Sequence, residues 1–484
     1  GVDVRNKRRG YYCSANSLDG EGKDSKSLKE HTIESGITWE NVLTYSKILG
    51  EHDFQIMGGT STIYKSKEYT LASGKGQTYG GNIYHNLASN TKEVMIDSYL
   101  NEEKLASFFG RVNYKFMDRY ILTASLRADG SSLLADGHKW GYFPSVAVAW
   151  RMNEESFLKG FDELSNLKLR LSWGESGQSA IDPYQTVGLL GSSTYSFNND
   201  LASGLYPKTM SNKNLTWETT SQTDIGLDLT MFNNRVNLTM DYYYKRTTDM
   251  LMYVSLPAGA AAANNIVRNE GEMTNKGFEF SISTQNFRGA FTWNTDFNIS
   301  FNRNRLEKLE LQKIYSGAQL SSDILKEYVV RNESGRPLGG FYGYISDGVD
   351  PQTGELMYRD VNDDGIISAL DRTYIGDPNP DFTYGMTNTL SWKNFNLSFF
   401  IQGSQGNDIY NATRLYATQS RSGRRNMLAE VADRWSPTNA SNKVPSQDGY
   451  IVNDVYSRFI EDGSFLRLKN ITLGYTLPHK WTRK

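Results

Sequence analysis

Residues 223–246 read TDIGLDLTMFNNRVNLTMDYYYKR. Ile225, Leu227, Leu229 and Met231 alternate with Asp224, Gly226, Asp228 and Thr230, the period of two of a strand with one apolar and one polar face. Asn233 and Asn234 interrupt the pattern. Val236, Leu238, Met240, Tyr242 and Tyr244 then alternate with Asn237, Thr239, Asp241, Tyr243 and Lys245. The stretch predicts two strands of about ten residues joined by a tight Asn-Asn turn. A soluble sandwich builds strands of about 5 to 6 residues, whereas a strand crossing a bilayer needs about 9 to 11. Asp224, Asp228, Asp241 and Lys245 lie on the polar face, where a wet bore suits them; a central cation facing lipid costs roughly 2 to 4 kcal/mol. The expected fold is all-β: a transmembrane antiparallel up-and-down β-barrel, lipid on one side of its wall and a polar channel on the other.

Working outward, the same alternation recurs. A hairpin is expected over 38–45 and 53–62 with a turn at 46–52, followed by a polar, Gly- and Tyr-rich loop to Glu103. Phe108 to Phe116 and Tyr120 to Ala128 flank a very short turn, and Trp140 to Trp150 and Leu167 to Trp173 follow. Residues 174–221 and 247–276 read as loops. Phe278 to Ile282, Phe291 to Phe301, Phe382 to Trp392, Phe395 to Ile401 and Ile471 to Leu477 complete about thirteen strands, with long loops at 304–381 and 404–464. Short and long connections alternate, as in outer-membrane barrels with short periplasmic turns and long extracellular loops. Phe116, Tyr120, Phe232, Phe287, Phe291, Trp392 and Phe395 sit beside the short turns and would form the periplasmic girdle. The chain is thus expected to be one barrel domain over 1–484, in which 304–381 is a long extracellular loop.

Composition fits without deciding. Hydrophobic residues make up 38% of the 484 and mean hydropathy is −0.55, averages in which alternating strands hide. A net charge of −2 provides no basic field for nucleic acid. Cys13 is the only cysteine, which removes disulfide frameworks and thiolate metal clusters. No apolar run is long enough for a spanning helix. Gly1 opens the chain without a signal peptide, so an internal piece of a longer precursor is expected.

Several stretches resemble the SusC/RagA family of TonB-dependent outer-membrane transporters of Bacteroidota. They are DRYILTAS at 118–125 with DGSS at 129–132, GYFPS at 141–145 with AWR at 149–151, NLTWETT at 214–220, and DYYYKRTT at 241–248. The 360–365 loop with GDPNP at 376–380 and FLRLKNI at 465–471 continue the likeness, in this order and over nearly the whole chain. The resemblance implies a barrel of about 22 strands around an N-terminal plug. Thirteen strands are a part of that; the plug, the segment that contacts the TonB complex and the closing strands would lie outside 1–484. It also implies outer-membrane lipids around the wall, a SusD-like surface lipoprotein as a lid, and uptake of a large nutrient, oligosaccharide before peptide. An open passive porin and a surface adhesin are the rival readings.

Asp360, Asn362, Asp364, Gly365, Ile367, Ser368 and Asp371 occupy positions 1, 3, 5, 6, 8, 9 and 12 of a calcium loop, with Ile366 placed to offer its carbonyl. Hard cations need converging oxygens, and a glycine at the sixth position permits the sharp turn. Position 12 is Asp where a longer bidentate Glu is usual, and the bland alternative is a solvated Asx turn. Calcium would stiffen the outer loop. Tyr328, Phe341, Tyr342, Tyr344, Tyr410 and Tyr416 would stack on sugar rings, pack against a partner, or pack among themselves. The histidines are scattered, no His-Glu-x-x-His occurs, and Gly74, Gly76 and Gly80 miss a dinucleotide-binding spacing; no enzyme is inferred.

Overall fold

The computed structural model describes residues 1–17, 24–77, 79–197, 200–256, 265–309, 313–316, 327–419, 426–441, 443–449 and 454–482. Fourteen strands form one sheet whose spatial order is the order of the chain. They are β1 (Val2–Cys13), β2 (Lys26–Leu49), β3 (His52–Gln77), β4 (Asn90–Phe116), β5 (Tyr120–Ser131), β6 (Trp140–Arg151) and β7 (Leu164–Gln178). Then come β8 (Glu218–Met231), β9 (Val236–Thr248), β10 (Glu272–Phe287), β11 (Phe291–Lys308), β12 (Phe382–Trp392), β13 (Phe395–Gln405) and β14 (Phe465–Tyr475). Every neighbouring pair is antiparallel, the arrangement of an up-and-down barrel wall.

Register identifies the two faces, because residues directly opposite on antiparallel strands project to the same side. Leu122, Val148, Leu171, Ile225, Tyr242, Phe278 and Phe301 form one unbroken row across seven strands. The adjacent row is Thr123, Ala147, Ser172, Asp224, Tyr243, Gly277 and Asn302. Asp241 lies opposite Gly226 and Glu279, and Asp296 opposite Ser283 and Thr387, so all three aspartates share the polar face. On the other face Leu122, Leu171 and Ile225 stay exposed at 40 to 50%. The buried apolar residues are instead concentrated in the connections, as at Leu134, Leu215 and Leu415. A wall with its grease outside and its cores in the loops is the inverse of a soluble sandwich.

The strand expectations need three corrections. Among the described residues the wall has fourteen strands, because β1 is a strand although its sequence, VDVRNKRRGYYC, has no apolar parity, and the segments expected to be loops carry short strands of their own, such as the hairpin of Leu190–Phe197 with Asp200–Pro207. The hairpin expected to end at Thr62 continues: β2 runs without a break to Leu49, the turn is only Gly50 and Glu51, and β3 extends to Gln77. Gly50, at φ +62, lets the chain reverse in two residues. Part of the segment read as loop up to Glu103 is likewise the outer half of β4, paired to β3 from Asn90 onward. Cross-strand ion pairs such as Lys65–Glu103, at 3.3 Å, stand where apolar alternation would be. A strand that projects past the bilayer needs no lipid face, so it loses the period of two.

Short turns lie at one edge of the sheet: 50–51, 117–119, 232–235, 288–290 and 393–394. Aromatic rings gather there, Phe116 with Tyr120 at 6.4 Å and Phe287 with Phe291 at 5.8 Å between centroids. The opposite edge carries 179–217, 249–271, 309–381 and 406–464. Leu134, Phe143, Leu215, Trp217 and Val267 form one loop core; Val329, Phe341, Leu356, Leu415, Val455, Tyr456 and Phe459 form a second, shared by 309–381 and 406–464. Among the described residues β1 and β14 each pair on one side only.

Candidate functional site

The polar face of β7 to β11 holds a recess of about 680 Å³. Its organising group is Arg170 on β7. The guanidinium donates from Nε and Nη2 to the two oxygens of Asp228, both at 3.0 Å, and from Nη2 to Asp241 Oδ1 at 2.8 Å. Lys168 Nζ approaches Asp228 at 3.2 Å. Gly226 stands between these groups, and a Cβ there would collide with Asp241 and Arg170, so glycine is what lets the ion cluster close. Around it Gln222 donates to Asp224 at 2.9 Å and Tyr243 Oη donates to Asn302 at 3.0 Å. Four carboxylates, Asp224, Asp228, Asp241 and Glu279, stand with three cations, Arg170, Lys168 and Lys245, framed by amides and hydroxyls. Such a surface hydrogen-bonds polar solutes without a strong field of one sign. Alternation alone placed Asp224, Asp228 and Asp241 on this face; the Arg170 partnership depends on register between strands far apart in sequence.

Above the wall two loops are sewn together. Tyr344 N donates to Val455 O and Ser457 N to Tyr344 O, both at 2.9 Å, and Arg372 lies 3.5 Å from Glu327 and 3.7 Å from Asp454. Burial pushes the Asp454 carboxyl up. Arg414 grips Glu430 with two 2.8 Å bonds, which hold the Glu430 carboxyl below its usual range. Arg331 stacks 4.2 Å over the Tyr342 ring, and burial with Glu333 nearby pushes the Tyr374 hydroxyl up to about 12. The loop aromatics mostly pack among themselves: Phe341 and Tyr344 are buried, and Tyr410 and Tyr416 pack against the same core. Tyr328 is 39% exposed.

The acidic loop folds on its own amides. Asp360 accepts from Asp364 N at 3.2 Å and Gly365 N at 2.6 Å, Asp364 accepts from Ile366 N at 2.8 Å, and Gly365 has φ +78. Asn362 Nδ2 donates to Asp364 at 2.8 Å. Asp371, fully buried, accepts from Ser368 N at 2.7 Å and Val361 N at 2.9 Å and forms a capping box with Ser368. These amide donors, Ser368 foremost, hold its carboxyl below the ordinary range. Among the described residues no three His, Cys, Asp or Glu side chains are gathered to hold a metal. The candidate set relies on Asn362, Ser368 and the Ile366 carbonyl as well.

A family profile described as "TonB dependent receptor-like, beta-barrel" matches residues 4–482. TonB-dependent receptor P3 of Formosa agariphila is 35% identical over all of this chain and half of its own length. TonB-dependent receptor SusC of Bacteroides thetaiotaomicron is 32% identical over 92% of this chain and 44% of its own. A solved structure of the RagAB peptide transporter superposes with a TM-score of 0.84 at 25% identity, covering 99% of this chain and 53% of that one. The chain thus spans about half the length of the relatives it matches.

Proposed function

The chain belongs to the TonB-dependent receptor β-barrel family, SusC/RagA-like and seated in the outer membrane, and from that premise we propose that it forms part of the wall of an energy-coupled importer of oligosaccharides. The observation that carries the reading is the unbroken polar face running beside an unbroken apolar one, with the Arg170 recess set into it. A large hydroxyl-rich solute passing such a wall exchanges hydrogen bonds with amides, hydroxyls and paired charges and meets no deep charged trap. Coupling would reach the barrel from the inner-membrane TonB complex through parts of the protein outside 1–484. A SusD-like lipoprotein would sit as a lid on the outer loops. A peptide cargo is the second reading, favoured by the overlap with the RagAB peptide transporter.

Growth of cells carrying or lacking the intact gene, on defined glycans and on defined peptides as sole nutrient, tests the cargo. Loss of growth on glycans alone supports the proposal, and loss on peptides alone replaces it. Uptake that persists without TonB overturns energy coupling in favour of a passive porin.

Calcium belongs to the same proposal as a stiffener of the 360–371 loop. Asp360, Asn362, Asp364, the Ile366 carbonyl, Ser368 and Asp371 would hold it, and the turn at Gly365 already brings the first three side chains to one side. Asp371 is the weakest fit, since it is fully buried and both its oxygens serve backbone amides, as do both of Asp360. Asp360→Ala with Asp364→Ala should abolish calcium binding in a titration and raise protease cleavage of the loop. Unchanged binding and cleavage would sink the idea.

A further inference from the structure

The lipid side of β9, β10 and β11 changes chemistry within one step. Going up these strands, the outward residues are Tyr242 and Tyr244, Phe280 and Phe278, and Ile299 and Phe301; the next ones outward are Arg246, Lys276 and Arg303, with Arg305 one place beyond. Register keeps these cations on the apolar face, because Lys276 lies opposite both Tyr244 and Arg303, and Thr274 opposite both Arg246 and Arg305. All four are exposed. From Phe291, beside the short turn, to Arg303 the strand covers about 40 Å, which a tilt of about 40° turns into roughly 30 Å of height, just past an apolar band about 25 Å tall. The cations therefore stand where hydrocarbon gives way to headgroups. Three carboxylates touch them. Arg246 Nε donates to Glu272 at 2.7 Å, Arg303 Nη2 donates to Asp381 at 2.6 Å, and Arg305 stands 3.6 Å from Glu307. Lys276 has no acceptor among the described residues and directly faces Arg303, a pairing of like charges that is unfavourable until an anion stands beside it.

We propose that Lys276, with Arg246 and Arg305 on its two diagonals, binds the phosphate of an outer-leaflet lipid headgroup and so sets the height at which the wall sits in the membrane. The occupant follows from the place. This face of the wall belongs to lipid, and one step below Lys276 the side chain is Phe278. β9 to β11 also lie in the middle of the sheet, with eight strands on one side and three on the other, so neither strands added at β1 or β14 nor a segment filling the bore reaches their outer face. Phosphate suits the donors. Its oxygens take a point charge from an ammonium and paired N–H groups from a guanidinium, and Arg246 spends only Nε on Glu272, leaving Nη1 and Nη2 free of acceptors among the described residues. Diagonal neighbours across antiparallel strands are about 7 to 8 Å apart, a span that long side chains close around one phosphate. The inference rests on the outer-membrane seat of the family and is independent of the cargo.

The test titrates the intact receptor, purified in detergent, with monophosphoryl lipid A or with the same lipid stripped of its phosphate, and counts bound lipid by native mass spectrometry. The phosphorylated lipid should bind the wild type more tightly than the stripped one. Lys276→Gln should weaken it about fivefold and Lys276→Gln with Arg305→Gln about thirtyfold, while Lys276→Arg keeps it. Both Gln variants should bind the stripped lipid as the wild type does and keep the heat-modifiable barrel band. Equal binding of the two lipids by the wild type, or unchanged binding of the phosphorylated lipid in the Gln variants, overturns the proposal. Inorganic phosphate that displaces the lipid at equal concentration makes the cluster a free-anion site and overturns the lipid assignment. Loss of a co-purifying surface protein from the Gln variants, with lipid binding intact, gives the cluster to that protein and overturns the proposal as well.

Discussion

Asp224 and Ile225 are consecutive and face opposite surroundings, one in the Arg170 recess and the other in the apolar row. A substitution is therefore read by parity before chemistry. Ile225→Arg should cost about 2 to 4 kcal/mol in the membrane-embedded receptor, while Gln222→Arg, entering the wet face, should stay within about 0.5 kcal/mol. Urea titration of the intact receptor in lipid measures both, and equal costs would contradict the assignment of faces. Asp371 makes a different residue-scale prediction. Its folded carboxyl is held low, so its contribution is complete above the unfolded value near pH 4 and is lost as pH falls through the folded one. Protease cleavage within 355–375 should accelerate below about pH 4. Asp371→Asn should already be cleaved faster at pH 7 and should respond less to acid.

Among elements, the wall strands and the projecting strands obey different rules, and sequence was legible only for the first. Thirteen strands showed because a lipid face imposes alternation over a bilayer's thickness, as at Phe291 to Phe301. β1 and the outer halves of β3 and β4 were hidden because polar cross-strand contacts such as Lys7–Glu34 at 3.0 Å replace that alternation. In the candidate site the aspartates were legible by parity, and their pairing with Arg170 was not. The loop aromatics were visible as residues but not as a core, since that core is made by two connections meeting. Leu415, at 0% exposure, sits in it. Leu415→Ala should destabilise the loop assembly by about 2 to 5 kcal/mol, releasing protease sites in 309–381 and 406–464 together while the wall keeps its heat-stable migration on gels. Release of 406–464 alone would show that the loops are not one unit.

At the scale of the whole molecule, fourteen wall strands in sequence order leave β1 and β14 with one neighbour each among the described residues. Hydrocarbon does not tolerate a free edge. The 484-residue chain expressed by itself and offered to liposomes should therefore show no heat-modifiable barrel band, and co-expression with the remaining half of a full-length relative should restore it. A band from the chain alone would mean that the two edges find each other.

β3, with 26 residues, amounts to roughly 85 Å of extended chain against a hydrocarbon layer of about 30 Å. With β2 and β4 it rises from the cell as a fin, dressed in lysine and glutamate and continuous with the wall beneath. A phage or an antibody arriving from outside meets this fin as part of the surface on offer. Exchanging charges along its flanks thus changes that outer surface and leaves the alternating rows within the bilayer as they are.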